Sequence, residues 1–438
     1  MTDILAARSQ MAVSLMFHIV FAVIGVAMPA LMVIAEWRWQ RTREAVYLDL
    51  AKQWAKGTAI FFAVGAVSGT VLSFELGLLW PGFMKHAGAI IGMPFSLEGL
   101  AFFVEAIFLG IYLYGFERVS EKVHLAAGLV VAIAGAASAV MVMAVNAWMN
   151  APTGFRLADG TFTDIDPVQA MLNTAWLPMS VHMVLAAFVA VGFAVAGVHA
   201  WRLRQGRRER FHRLAIGLSL AMAAPAALIQ IVSGDLLAQH VAEHQPIKLA
   251  ALEGQFATQS GAPVRLGGLP DAEQGTMKGG IEIPYLLSLL AFHDPNATVR
   301  GLSEFPRDQW PPLLPVRLAW ELMLACGTIL AALSLLVAWR RWRRPNEWLR
   351  PRWFLTALMV AGPLGFIALE AGWIVTEVGR QPWIIYGVMR TADTVTPMPH
   401  LEVPFIVFTA LYVVLSVVVA LLIRGIVLRA EPNRTAVP

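Results

Sequence analysis

Side chains that bind metals or carry protons lie inside long apolar segments of this sequence. They are His18, Glu98, Glu105, His182, Met323, Glu377 and Arg380. Ionisable groups are costly inside a membrane, so each one is a candidate functional residue. Neutral imidazole and thioether groups on facing helices are the usual axial ligands of heme iron, and a carboxylate offers an oxygen ligand. These residue types therefore indicate a buried redox cofactor, if helices bring them to one depth.

Several candidates also have a plainer explanation. Met323 is one of 19 methionines, and a methionine in a membrane protein packs more often than it binds a metal. Glu98 and Glu105 are seven residues apart, so they share one face of a helix. This pair fits either a proton path or two structural hydrogen bonds to a neighbouring helix.

The stretch Thr376–Trp383, which reads TEVGRQPW, follows another apolar segment. Glu377 and Arg380 are one helical turn apart and can form an ion pair. Alternatively, the carboxylate reaches a metal while the guanidinium holds a propionate group by charge-assisted hydrogen bonds. Pro382 ends the helix.

The composition places these residues in a membrane. The chain has 438 residues, of which 58% are hydrophobic and 14% are charged, so it is far more apolar than a soluble protein. The one cysteine, Cys326, excludes a disulfide framework, a zinc cluster and a covalently attached heme. The net charge of +4 comes from arginines in short connections, which is typical of membrane topology and does not indicate a nucleic-acid partner.

Apolar segments of about 20 residues, long enough to cross a bilayer, recur along the chain. They are Met11–Ala35, Ala55–Leu79, Phe95–Phe116, Leu125–Ala147, Trp176–Ala200, Leu214–Leu236, Val316–Trp339, Trp353–Val375 and Phe405–Ile423. The sequence thus predicts an all-α integral membrane protein with about nine transmembrane helices in helical bundles. Three parts follow: helices 1–6 in residues 1–236, a long loop in residues 237–315, and helices 7–9 in residues 316–438.

Arginine-rich connections alternate with connections that are poor in Lys and Arg. The basic set includes Arg38, Arg41, Arg43, Lys52, Arg118, Lys122, Arg202, Arg204, Arg207, Arg208, Arg210, Arg340, Arg341, Arg343, Arg344, Arg350 and Arg352, and the C-terminal end adds Arg424, Arg429 and Arg434. The positive-inside rule places this set in the cytoplasm. The N-terminus and the long loop are then periplasmic, and the C-terminus is cytoplasmic. His18, Glu98 and His182 fall early in helices that start outside, and Glu377 ends one that starts inside, so all four lie in the outer leaflet.

Several motifs occur in the order found in one known family. They are Arg8-Ser9-Gln10 followed by His18, the segment Glu98–Glu105, Ser180-Val181-His182, the loop segment Gln245–Glu253, and Gly379–Trp383, which reads GRQPW after Glu370-Ala371-Gly372-Trp373. Over essentially the whole chain, the sequence resembles subunit I of the cytochrome bd-type quinol oxidases.

The resemblance implies a role for each candidate. His182 and Met323 would ligate a low-spin heme b, and Lys248 and Glu253 would bind or deprotonate quinol. His18 and Glu377 would be axial ligands of a high-spin heme b and a heme d, in a pairing that differs within the family. Glu98 and Glu105 would lie at the oxygen-reducing heme and on its proton route. Arg8, Trp373 and Arg380 would surround the cofactors.

The resemblance also implies the reaction and the partners. Quinol would be oxidised on the periplasmic side, three hemes would pass electrons to oxygen, and protons for water would come from the cytoplasm. This generates a proton motive force without a pump. The partners would be subunit II, in many members a small single-span subunit, and the lipid of a bacterial inner membrane. Whether ubiquinol or menaquinol is the substrate stays open.

One position departs from the family pattern. The family usually has an arginine two residues before the methionine, whereas this chain has Glu321 before Met323. An anionic group there would repel a heme propionate. Either Arg317, one turn earlier, takes over the propionate, or Glu321 points elsewhere and the low-spin heme has an altered potential.

Two other functions are compatible with part of the pattern. The first is a heme-bearing member of the family that does not reduce oxygen at a useful rate. The second belongs to another class, a proton-coupled transporter whose intramembrane carboxylates and histidines bind substrate. A transporter of that kind needs broken helices or paired halves, and the sequence predicts neither.

Overall fold

The structure is a computed structural model that describes residues 1–207 and 209–429, with side chains to residue 426. Arg208 and Arg434, which belong to the basic sets above, lie outside the described residues. Within the described ranges, nine helical segments are long and apolar enough to cross a membrane. The prediction of an all-α membrane protein with about nine spans is confirmed.

In chain order the helices are α1 (Asp3–Thr42), α2 (Ala45–Leu79), α3 (Pro81–Gly115), α4 (Glu121–Asn150), α5 (Pro167–Met171), α6 (Trp176–Arg204), α7 (Glu209–His244), α8 (Pro246–Glu253), α9 (Leu286–Phe292), α10 (Leu313–Arg343), α11 (Arg352–Ala361), α12 (Leu364–Glu377) and α13 (Glu402–Arg429). Most spans run beyond the predicted apolar segments, because that pattern marks only the part that suits lipid. Local signals set the helix ends: Pro81 begins α3, and the Ser120 hydroxyl accepts the Val123 N–H at 3.4 Å to cap α4.

Two groups of helices form the membrane part. In the first, α1 packs against α2 and α4, and α3 packs against α4. In the second, α6 packs against α7, α11 and α12, and α10 packs against α7 and α12. Contacts of α1 and α4 with α6 join the two groups, and α13 lies on α1 and α2. The spans α2, α3 and α13 bury the fewest of their side chains, so they present apolar surface outward.

The eighth span, predicted as one helix, forms one membrane-crossing segment that contains a short turn. A two-residue turn at Gly362 and Pro363 separates α11 from α12, because proline has no N–H for the helical ladder. Both residues keep right-handed helical φ and ψ angles, −49° and −51° for Gly362 and −78° and −19° for Pro363. The span is therefore interrupted without the unwound segment that a transporter of the broken-helix type uses.

The long connection lies at one end of the bundle, here named the loop face, where α1 begins and α12 ends; the opposite end, with Arg41 and Arg343, is the arginine face. All sheets are two-stranded and antiparallel: β1 (Arg156–Ala158) with β2 (Thr161–Thr163), β3 (Gln259–Ser260) with β8 (Thr298–Val299), β4 (Val264–Leu266) with β7 (Ile281–Ile283), β5 (Leu269–Asp271) with β6 (Thr276–Lys278), and β9 (Trp383–Ile385) with β10 (Met389–Arg390). The connection from α7 to α10 is thus an ordered unit of α8, α9 and three strand pairs.

Candidate functional site

His18 lies on α1 and faces α2. Its Nδ1 is 3.0 Å from the Ser68 hydroxyl oxygen, and a Cβ on Gly69 would lie 3.0 Å from its Cε1. Gly69 therefore leaves room for the ring. A histidine held through Nδ1 presents its Nε2 to a metal, which is the common arrangement in ligating histidines.

Both carboxylates on α3 face α4. Ser138 donates a hydrogen bond of 3.0 Å to Glu98, and a Cβ on Gly135 would lie 3.2 Å from the Glu105 Oε1. Ser138 and Gly135 are one turn apart on α4, so Glu98 and Glu105 share a helix face. The apolar pattern predicted that Glu98 lies early in its helix. Because α3 begins at Pro81, Glu98 instead lies near the middle of this helix.

His182 lies near the start of α6, against α7. Its Nδ1 is 3.0 Å from the Ser233 hydroxyl, and its Nε2 is 3.0 Å from the Gln230 amide nitrogen, which also donates to the His182 carbonyl at 3.1 Å. The second ring nitrogen is therefore engaged by Gln230. A metal at this nitrogen requires the Gln230 side chain to withdraw.

Met323 lies on α10 at its contact with α12. A Cβ on Gly372 would lie 3.2 Å from the Met323 sulfur, so the glycine leaves space beside the thioether. Trp373, the next residue, is partly buried and packs against two apolar clusters, the central one, which includes side chains of α1, and a smaller one that includes Met143 and Met179. Met323 on α10 and Trp373 on α12 therefore pack against different groups of side chains.

Glu377 and Arg380 form an ion pair at the loop-face end of α12. Arg380 Nη2 is 2.5 Å from Glu377 Oε2, and the Asn146 amide donates to Glu377 Oε1. Arg380 is 2% exposed, and its Nε and Nη1 have no hydrogen-bond partner among the described residues. Buried unpartnered donors on a cation fit an anionic group such as a heme propionate. The structure thus contains the ion pair between Glu377 and Arg380, and Arg380 also has two donors left for an anion.

Lys248 on α8 joins the loop to this cluster. Its Nζ donates to Asn150 Oδ1 at 3.1 Å and to the Thr376 carbonyl at 3.2 Å, and Asn150 in turn donates to the Asn146 carbonyl at 2.9 Å. Burial, together with the nearby Arg380 charge, lowers the pKa of Lys248 to about 7, while Glu377 opposes the shift. Lys248 is therefore poised to exchange a proton near neutral pH.

Glu253, at the other end of α8, is buried against α10. The Trp320 indole donates to its Oε1 at 2.9 Å, and Arg317 Nη1 is 3.8 Å from its Oε2. Burial raises the pKa of Glu253, and the Arg317 charge opposes this rise. Arg8 is half-buried near the start of α1.

Glu321 points to the loop. Its Oε1 accepts the Gly267 N–H at 2.7 Å and lies 2.5 Å from Arg317 Nη2. Arg317 is fully buried and donates to loop carbonyls. The side chain of Glu321 therefore points elsewhere, which was the second of the two alternatives for this position.

Sequence reasoning missed the polar residues that hold the candidates in place. They are Ser68, Asn146, Asn150, Gln230, Ser233 and Trp320. Asn146 and Asn150 are one turn apart at the end of an apolar helix, which is the signal that would have identified them.

The fold and this site define a multi-pass membrane protein in which a buried cluster of polar and ionisable side chains lies beside a structured loop. One family model, described as cytochrome bd terminal oxidase subunit I, matches residues 6–431 of this chain. This chain belongs to the cytochrome bd terminal oxidase subunit I family.

Individual relatives agree over nearly the whole length. The structure of bd oxidase from Geobacillus thermodenitrificans is similar with a TM-score of 0.92 and 40% identity, covering 98% of this chain and 99% of that one. A Bacillus subtilis (strain 168) protein, whose name provisionally assigns it as a cytochrome bd menaquinol oxidase subunit I, is 39% identical, with 96% of this chain and 95% of that protein covered. Cytochrome bd ubiquinol oxidase subunit 1 of the same organism is 29% identical, with coverage of 98% and 95%.

Proposed function

We propose that this chain is subunit I of a terminal quinol oxidase that oxidises quinol on the periplasmic side and reduces oxygen to water. Electrons would pass through a low-spin heme b, a high-spin heme b and a heme d, and the reaction would generate a proton motive force without pumping. The observation that carries this proposal is the continuous, largely buried cluster of Lys248, Asn150, Asn146, Glu377 and Arg380, which links helix α8 of the loop to the end of α12.

We assign the heme-binding residues by their chemistry. His182 and Met323 would hold the low-spin heme b, and His18 and Glu377 would serve the other two hemes, in a pairing that stays open. When bound, heme supplies one-electron transfer and an iron atom that can bind oxygen. Arg380 would neutralise a propionate through its free donors, and Arg8 and Trp373 would line the cofactor surroundings.

Lys248 and Glu253 would bind quinol and take its protons. They lie toward opposite ends of α8, and both are buried. A neutral lysine accepts a proton, and an ionised glutamate does the same, so each must be deprotonated to act as a base. The lowered pKa of Lys248, about 7, supports its role as a base at neutral pH.

Glu98 and Glu105 would carry protons toward the site of oxygen reduction. Their common face on α3, against Ser138 and Gly135 of α4, supports transfer along one side of α3. Such protons would come from the cytoplasm, on the arginine face, while quinol protons leave on the loop face. Charge separation across the membrane follows from these two directions.

The complete enzyme would contain further components. Subunit II would cover part of the apolar surface of α2, α3 and α13, and a small single-span subunit would complete some assemblies. We place the chain in the bacterial inner membrane among its lipids, with the N-terminus periplasmic and the C-terminus cytoplasmic. Residues 1–236 and 316–438 would then form the transmembrane part, and residues 237–315 the periplasmic quinol loop.

The test is quinol-dependent oxygen uptake by the purified complex. We expect uptake in the native complex and its loss in His18→Ala and in Glu377→Ala, since either change removes a proposed iron ligand. Normal heme content without oxygen uptake in the native complex would instead identify a family member that does not reduce oxygen. An iron-free complex would refute the proposal and leave the transporter.

A further inference from the structure

Arg317 is fully buried, and its guanidinium donates hydrogen bonds to two separate parts of the external loop. Its Nη1 donates to the Leu252 carbonyl at 2.7 Å, at the end of α8. Its Nη2 donates to the Gly267 carbonyl at 3.1 Å and to the Arg265 carbonyl, at the end of β4. Helix α10 therefore fixes both segments through one guanidinium.

Glu321, one turn further along α10, completes this arrangement. Its Oε1 is 2.5 Å from Arg317 Nη2 and accepts the Gly267 N–H at 2.7 Å. The carboxylate thus neutralises the buried guanidinium and binds the same loop residue through its backbone. A buried arginine without an anionic partner would be strongly unfavourable, so Glu321 supports the position of Arg317.

The loop segments held in this way carry Glu253. Leu252 precedes it, and Gly254, which follows it, accepts a bond from Arg265 Nη1 at 3.4 Å. The same Arg265 nitrogen donates to the Gln255 side chain at 2.6 Å. The backbone on both sides of Glu253 is consequently tied to residues that Arg317 holds.

The carboxylate of Glu253 is positioned from α10 as well. Trp320, between Arg317 and Glu321, donates its indole N–H to Glu253 Oε1 at 2.9 Å. Arg317 Nη1 is 3.8 Å from Glu253 Oε2, close enough for attraction and longer than its bond to the Leu252 carbonyl. The first turns of α10 thus set both the backbone and the side chain of Glu253.

We propose that Arg317 and Glu321 form a latch that holds the external loop on α10 and so positions Glu253 for quinol. Both are positioning residues, because neither has to touch the substrate. The inference rests on the proposed quinol function of Glu253. It also explains the presence of Glu321, since the anion found where the family usually has a cation is the partner of Arg317 and Gly267.

The test compares Arg317→Met and Glu321→Gln in the purified complex. The matched control is the pair Glu209 and Arg213 at the start of α7, which has the same spacing of four residues and a distance of 2.8 Å and lies at the opposite end of the bundle from the loop. Hydrogen exchange of the amides in residues 252–268 reports the latch independently of quinol. We expect this exchange to become at least about tenfold faster in both latch variants, because bonds to charged groups are lost, and to stay unchanged in Arg213→Met and Glu209→Gln.

Quinol kinetics with a short-chain ubiquinol and a short-chain menaquinol report the position of Glu253. We expect the KM to rise about fivefold or more in Glu321→Gln, with kcat at saturation changed less than twofold and the heme spectrum unchanged. If Arg317→Met does not fold, Glu321→Gln alone decides, since it retains the guanidinium.

Native exchange rates in Glu321→Gln would overturn the latch. Fast exchange with native KM values would overturn its role in positioning Glu253. Failure of the proposed function has a different signature: Glu253→Gln would then leave quinol oxidation unchanged, whatever the exchange rates of the latch variants.

Discussion

The most direct consequence of the loop geometry concerns Lys248. Its amine is buried and donates to Asn150 and the Thr376 carbonyl, and burial together with the Arg380 charge lowers its pKa to about 7 from an ordinary value of 10.5. A lowered lysine pKa means that the neutral amine, which can accept a proton, forms as pH rises through 7. Quinol oxidation should therefore accelerate across this range.

The size of the effect follows from the fraction of neutral amine. With a pKa of about 7, that fraction is about one tenth at pH 6 and about nine tenths at pH 8, so a step that needs the neutral lysine should become about ninefold faster. Burial also raises the pKa of Glu253, so this carboxyl becomes a base at a higher pH than an exposed glutamate does. Below pH 6 Lys248 holds its proton, and the rate should be low.

The assay is the initial rate of electron entry from quinol, followed by heme reduction in a stopped-flow instrument without oxygen between pH 5.5 and 8.5, a range chosen to span about one and a half units on either side. In Lys248→Met we expect a lower rate and a much flatter profile. The control is Lys278→Met, since Lys278 is an exposed loop lysine paired with Asp271 at 2.6 Å; its profile should match that of the native chain. A ninefold rise that persists in Lys248→Met would refute the reasoning.

Two further predictions concern the space beside Met323 and the role of Glu105 in proton delivery. In Gly372→Ala the new methyl group would lie 3.2 Å from the Met323 sulfur, so we expect a shifted low-spin heme spectrum, whereas Gly327→Ala, with nothing within 4 Å, should leave reduced-minus-oxidised spectra unchanged. Glu105→Gln should lower oxygen uptake at least about tenfold while anaerobic heme reduction by quinol stays native, since only proton delivery is lost. Gly135→Ala, whose methyl group would lie 3.2 Å from Glu105 Oε1, should have the same effect to a smaller extent; slowed anaerobic reduction in either variant would contradict this assignment.

The nine spans were predictable from the sequence. An apolar run of about 20 residues has one dominant solution in lipid, a transmembrane helix, so the pattern alone locates it. The break at Gly362 and Pro363 carried a visible signal, a glycine followed by proline, but hydropathy averages over such a pair. The start of α3 at Pro81 was missed because the polar residues Lys85 and His86 dilute the apolar pattern there.

The partners of the candidate residues were not predictable in the same way. The contact of Gln230 with His182 joins residues 48 apart in sequence, and the bond from Lys248 to Asn150 joins residues 98 apart. Such pairs depend on how whole helices pack, which no local pattern specifies. Arg317 illustrates the point: its spacing from Glu321 predicts an ion pair, whereas its bonds to the Leu252 and Gly267 carbonyls follow only from the folded loop.

The central claim is that His18, His182, Met323 and Glu377 exist to bind heme iron. The measurement that tests it most directly is a reduced-minus-oxidised optical spectrum of the purified complex, combined with pyridine hemochrome analysis. We predict b-type heme together with a far-red chlorin band from heme d, with the low-spin signal lost in His182→Ala. A complex that folds and assembles but contains no iron and shows no heme absorption would contradict the account.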